Sequence, residues 1–175
     1  MKKILLLLFT AFTLYGCDKD DNPQPTNPID QLPPATEVGA NTFGCLLDGV
    51  AFKPGTGPNP LDCVYQFING GYYFSLQANR RDENNIPSLL GCSTQNLQIF
   101  EGQTYLLKEK IDGNGYGTYS YAANFTYTSQ IQTGELKITK LTSNIVSGTF
   151  SYDVIDYQGN LHQIREGRFD MLYTN

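Results

Sequence analysis

The chain contains no tryptophan, one histidine (His162), two methionines, and only 12 Lys plus Arg against 17 Asp plus Glu in 175 residues. Each scarcity excludes something. A single imidazole cannot build the multi-histidine sites of much catalytic zinc chemistry. A formal net charge of -5 argues against a nucleic-acid surface, because such surfaces neutralise phosphates with clustered Lys and Arg. No apolar run reaches the ~20 residues that a helix needs to cross ~30 Å of hydrocarbon. There is no Gly-x-Ser-x-Gly nucleophile elbow and no Cys-x-x-Cys pair to suggest a metal. No residue pattern calls for a cofactor. What the chain does have is 12 Tyr, 10 Phe, 17 Gly and 9 Pro. That composition suits one aromatic-filled β domain preceded by a less structured segment.

The N-terminus has the layout of an export signal. Lys2 and Lys3 precede a run from Ile4 to Tyr15 that is apolar except for Thr10 and Thr13. The run is too short to span a membrane and has signal-peptide proportions. Leu14-Tyr15-Gly16-Cys17 resembles a bacterial lipobox: an aliphatic residue, a spacer, a small residue, then Cys. The resemblance implies cleavage before Cys17, with residues 1–16 as signal peptide. It also implies lipidation of the Cys17 thiol and new amino group with acyl chains of the palmitate type. Two or more chains anchor stably where one does not. Asp18-Lys19-Asp20-Asp21 follows, and Lys19, Asp20 and Asp21 look like the surface-export signal of Bacteroidota lipoproteins. The expected location is the outer membrane, lipid-anchored and facing the cell exterior.

From residue 17 to residue 40 the chain is polar and carries Pro23, Pro25, Pro28, Pro33 and Pro34. Such a stretch has little apolar surface to bury, so it reads as a disordered, extended tether. The folded domain is then expected over 41–175.

There the pattern is alternation. Phe43, Cys45 and Leu47 share one parity before a turn at Asp48-Gly49; Cys63, Tyr65 and Phe67 do so before Asn69-Gly70-Gly71; Tyr72, Phe74, Leu76 and Ala78 follow. Leu97 with Ile99 and Tyr105 with Leu107 flank Glu101-Gly102. Tyr119, Tyr121, Ala123, Phe125 and Tyr127 form the cleanest run, read as a single strand. Leu136, Ile138, Val146, Phe150, Tyr152 and Val154 continue the pattern, and Phe169, Met171 and Tyr173 close it. Ile86 to Cys92 has room for at most one short helical turn. About nine or ten short strands with Gly-rich turns imply an all-β antiparallel sandwich or flattened barrel; period 2 alone does not decide between them.

Cys45, Cys63 and Cys92 remain once Cys17 is lipidated. An oxidising compartment allows one bridge among them, worth ~2–4 kcal/mol. The other reading is three buried small hydrophobes.

Several segments resemble a domain-of-unknown-function family of Bacteroidota outer-membrane lipoproteins. They are Asn41 to Gly49 at the start of the domain, Gly134 to Leu141, Val146 to Phe150, and Arg165-Glu166-Gly167-Arg168-Phe169-Asp170 near the end. The resemblance implies location and a β fold, and it supplies no catalytic residue. Within the last segment Gly167 interrupts the alternation as a β-bulge would. Arg168 and Asp170 then share a face, where ion pairing with each other or with neighbouring strands is expected.

Candidate chemistry is sparse. Any Ser-His-Asp arrangement would depend on His162. A two-carboxylate glycosidase could draw on Asp153, Asp156, Glu166 and Asp170. Asp112-Gly113-Asn114-Gly115 reads as a hairpin turn, and Asn124-Phe125-Thr126 is a sequon. Tyr73, on the face opposite Tyr72 and Phe74, and Tyr116, in a Gly-rich loop, are the residues expected to touch a ligand, since exposed aromatics stack on sugars or anchor protein contacts. The expectation is a non-enzymatic surface module that binds a glycan, a peptide or a partner protein. The alternative is a structural or assembly component of the envelope.

Overall fold

The structure is a computed structural model and describes residues 27–175. Cys17, Lys19, Asp20 and Asp21 lie outside the described residues. After one 3-10 turn at Pro28–Gln31 come eleven strands: β1 (Thr42–Leu47), β2 (Val50–Phe52), β3 (Leu61–Ile68), β4 (Gly71–Arg81), β5 (Pro87–Gln95), β6 (Thr104–Leu107), β7 (Asn114–Tyr121), β8 (Asn124–Tyr127), β9 (Gly134–Leu141), β10 (Ile145–Ile155) and β11 (Leu161–Leu172). They form one sheet in the order β2-β1-β11-β10-β9-β6-β7-β5-β4-β3, with β8 beside β7. Pairing is antiparallel except between β6 and β7, which meet in parallel at Leu107 and Gly115.

The fold is therefore all-β, one mostly antiparallel sheet that does not close, as in a sandwich or a flattened barrel. The β3 edge is stitched to the tail after β11 rather than laddered: the Tyr65 amide donates to the Thr174 carbonyl at 2.9 Å, and the Thr174 amide to the Cys63 carbonyl at 3.1 Å. Aromatic rings span the two walls. Phe43 packs on Phe150 (centroids 5.2 Å apart), Phe150 on Phe169 (6.4 Å) and Phe169 on Phe74 (6.1 Å), which joins β1, β10 and β11 to β4. Fully burying one such side chain is worth ~1.5–3 kcal/mol. Tyr152 is also buried, and its hydroxyl donates to the Thr118 carbonyl at 2.6 Å. A buried tyrosine needs such a partner.

Three sequence expectations change. First, Pro87–Gln95 is a central strand with no helical turn. Ser88, Leu90, Cys92 and Thr94 point inward and are buried. Its interleaved small residues disguise the alternation. Second, Leu97 and Ile99 lie outside any strand, although Ile99 is buried.

Third, the boundary at 41 moves back. Residues 32–40 lie along the domain as a strap instead of holding it at a distance. Leu32 is buried, and Pro33 sits where Gly44 has no side chain; a Cβ there would lie 2.5 Å from the Pro33 Cδ. Asp170 clasps the far end of the strap and makes no ion pair with Arg168. Its carboxylate accepts from the Thr36 hydroxyl (2.6 Å), the amides of Val38 (3.0 Å), Gly39 (2.8 Å) and Ala40 (3.1 Å), and the Ser147 hydroxyl (2.8 Å). Burial alone would push its carboxyl up. The bonds from Thr36, Ala40, Ser147 and Val38 outweigh that and hold it well below the usual carboxylate range. Composition marked the strap as unable to fold by itself. Its partner stands some 130 residues away in the chain.

The expected bulge is present. Between the pairs Phe150–Gly167 and Tyr152–Ile164, the single Ser151 faces both Arg165 and Glu166. Glu166 takes a left-handed φ of 54°. A Cβ on Gly167 would run into the Phe150 carbonyl oxygen.

Candidate functional site

The most developed site lies on the outer face of β4, β5, β7 and β8. Strand register builds it in three rows. Ser75 pairs with Ser93, and Ser93 with Tyr116. Gln77 pairs with Gly91, Gly91 with Thr118, and Thr118 with Tyr127. Leu89 pairs with Ser120, and Ser120 with Phe125. Side chains directly opposite in such ladders stand on one face. Gly91 is pressed so close to the backbone of Leu76 and Gln77 that no side chain fits. The floor is thus low and hydroxyl-lined, with Ser75 and Ser93 bonded to each other at 3.3 Å. Tyr116, Phe125 and Tyr127 form the wall, and the groove encloses about 160 Å³.

The wall depends on a turn that the sequence does not announce. Ala122 and Ala123 both have left-handed φ, 51° and 65°, and form a two-residue hairpin turn between β7 and β8. Such turns usually recruit Asn-Gly or Asp-Gly, since alanine is strained there. Asn124 supports this one by donating to the carbonyls of Tyr121 and Ala122. The turn preserves odd numbering but reverses the face. Tyr119 stays inside while Phe125 and Tyr127 swing outside beside Tyr116, and Phe125 is 56% exposed. The run read as one strand is two strands presenting opposite faces.

One charge enters the groove. Lys110 Nζ sits 4.4 Å from the Tyr127 ring centre and 5.3 Å from that of Tyr116, and donates to the Tyr127 hydroxyl at 3.3 Å. Its loop is fixed to the same strands. The Lys108 amide donates to the Gly115 carbonyl at 2.8 Å. Thr128 accepts from the Gly117 amide at 2.9 Å and donates to the Lys108 carbonyl. The neighbouring Asp112 is held by the side chains of Gln95 and Asn96.

Of the two tyrosines singled out in sequence, Tyr116 lines this groove, from a strand and not from a loop; its ring meets that of Tyr127 edge-on at 5.7 Å. Tyr73 is half-buried on the same face of β4, two residues from Ser75, and does not line the groove. Phe125, Tyr127 and Lys110 were missed. The only cue was Asn124 following two alanines.

The carboxylates proposed for glycosidase chemistry do not converge. Asp170 is enclosed by its five donors, Asp153 faces Arg165 at 2.6 Å, and Glu166 faces Arg168 at 3.4 Å. Asp156 faces His162. The imidazole is bracketed, with Nδ1 2.7 Å from Asp48 and Nε2 3.3 Å from Asp156, and its ring lies 4.5 Å from that of Tyr119. Asn160 above all, with further bonds from His162 and Gln158, lowers the Asp156 carboxyl to about 2. This triad ties the β1–β2 turn to the β10–β11 turn. Among the described residues no Ser, Thr or Cys hydrogen-bonds His162. A larger cleft on the opposite wall carries Arg165, Arg168, Glu135, Glu166 and Lys137. Both of its arginines already face carboxylates.

No bridge joins the cysteines: Cys45, Cys63 and Cys92 are free and buried. Register excludes the pair Cys63 and Cys92, because Leu76 stands between them on β4. Two strand spacings are ~9–10 Å, beyond the ~7 Å Cα reach of a disulfide. Burial pushes the Cys45 thiol up to about 12 and raises Cys63 and Cys92 as well.

Comparisons with protein-family models, with curated proteins and with solved structures found no match to this chain.

Proposed function

We propose that this chain is a surface lipoprotein, anchored through Cys17, whose β domain is a non-enzymatic binding module, and that its ligand meets the groove of Tyr116, Phe125 and Tyr127. The anchor reading rests on Lys2, Lys3, the Ile4 to Tyr15 run and the lipobox-like Leu14 to Cys17. The outward orientation rests on Lys19, Asp20 and Asp21 and on the resemblance to Bacteroidota lipoproteins. The binding reading rests on one observation: three aromatic rings stand on the solvent side of a sheet around a floor of small hydroxyl residues. Water-facing aromatic surface beside a depression is the usual mark of a ligand contact. The groove contains no carboxylate pair and no histidine, which favours binding over hydrolysis.

Two measurements test this. Cys17→Ser should move the protein from the membrane fraction to the soluble fraction of cells; unchanged membrane association would refute the anchor. On a glycan array the chain from residue 18 should give hits that Tyr116→Ala abolishes, and hits indifferent to that change would refute the groove.

A second reading, a component of envelope assembly, draws support from the β3–β4 hairpin end of the sheet. There Phe67 is 62% exposed and packs on Tyr72 at 4.8 Å, next to Tyr65 and Tyr173. Cross-linking in cells that captured a partner through Phe67 and not through Tyr116 would favour it.

A further inference from the structure

We infer that the ligand of this groove is an acidic sugar, a ring bearing one carboxylate such as a uronate or a sialate, and that Lys110 reads its charge. The inference rests on the groove being the binding site, as proposed above.

Three properties of the groove point the same way. Its volume of about 160 Å³ is below the ~300–1,000 Å³ typical of sites that engulf a whole small molecule. It therefore accommodates one ring, with the rest of a longer ligand lying over solvent. Its lining alternates hydroxyl and amide groups on the floor (Ser75, Ser93, Thr118, Gln77) with ring faces on the wall. A sugar presents the matching surfaces, hydroxyls at its edge and C–H groups on its face.

Charge completes the match. Lys110 is the one charged side chain lining the groove. Among the described residues no carboxylate lies within ion-pair distance of its Nζ. The nearby acid that could have neutralised it, Asp112, is engaged by Gln95 and Asn96. The tyrosine rings hold the ammonium over the mouth by cation–π attraction. Only one of its three N–H donors is engaged in a hydrogen bond, with the Tyr127 hydroxyl. A single ammonium, without an arginine fork, suits a single negative charge better than a dianionic phosphate.

The test is titration calorimetry on the chain from residue 18, which includes all of the described residues. The probes are trigalacturonate and an unsulfated hyaluronan tetrasaccharide for uronates, sialyllactose for sialates, and cellotriose as the neutral control. At least one acidic probe should bind more tightly than cellotriose, and which one binds identifies the source. Lys110→Gln should weaken that binding about five- to tenfold, the range of one charge-assisted contact at an exposed site. It should also flatten the salt dependence, and Lys110→Arg should restore most of the affinity. Lys110 is exposed, so an unchanged melting temperature serves as the folding control. Equal binding of cellotriose and the acidic probes, or an unchanged affinity in Lys110→Gln, would overturn the acidic-sugar inference and leave the groove as a sugar site. Binding of none of the four would overturn the inference, and array hits insensitive to Tyr116→Ala would take the groove with it.

Discussion

Replacing Asp170 with asparagine should detach the strap and cost the fold a large part of its stability. The carboxylate accepts from five donors: Thr36, Val38 and Ala40 on one oxygen, Gly39 and Ser147 on the other. An asparagine keeps the shape and one acceptor oxygen. Its amide nitrogen would face either the Gly39 amide or the three donors at the other oxygen, and a donor cannot serve a donor. Hydrogen bonds to a buried charge are worth ~1.5–3 kcal/mol each and do not add fully. The expected loss is about 3 kcal/mol, against ~5–15 kcal/mol of total stability for a domain. Urea unfolding should show a lower midpoint with little change in slope. Limited proteolysis should cut within 32–40 in the variant first.

The pH profile carries the same signature. The folded-state pKa of Asp170 lies below its unfolded value of ~3.9. Its contribution is complete well above that value and is lost as pH falls from there towards the folded pKa. Asp156 adds a smaller slope of the same sign. Wild type should thus lose more stability than Asp170→Asn between about pH 5 and pH 2, and the difference isolates Asp170. A loss under ~0.5 kcal/mol, the scale of an ordinary surface substitution, or identical acid limbs, would refute the clasp.

The other structural predictions are simpler. Gly44→Val should push Pro33 away and expose Leu32, destabilising by about 1–3 kcal/mol as overpacking does; an unchanged midpoint with the strap still protected would contradict the contact. Alkylation of the folded chain from residue 18 should leave Cys45, Cys63 and Cys92 unlabelled, because all three are buried with raised thiol pKa values. After unfolding without reductant all three should label; mass spectrometry finding any bridged pair would contradict the free thiols, and a Cys63–Cys92 bridge would contradict the register argument as well.

Much of the architecture was legible in the chain because period 2 and turn chemistry are local. Phe43 and Cys45, Phe74, Leu76 and Ala78, Phe169 and Met171 all face the core as their alternation implies. Asp48-Gly49 and Asn69-Gly70 take the left-handed values that such turns demand. Gly167 marks a true bulge. The site was half legible: Tyr116 stood out, and its partners did not. Alternation reports parity along the chain but not which side of a sheet a parity occupies. A two-residue turn leaves the first intact and inverts the second. Ala122-Ala123 therefore hid Phe125 and Tyr127 inside what read as a core strand.

All-β class, the positions of most turns and the inward parity of the central strands follow from neighbouring residues alone, since each needs only a few dihedrals and the side chains beside them. The strap on Asp170, the absence of a bridge between Cys63 and Cys92 and the meeting of Lys110 with two tyrosines belong to tertiary structure. Each depends on strand order and register, which bring together atoms that composition and spacing leave unrelated.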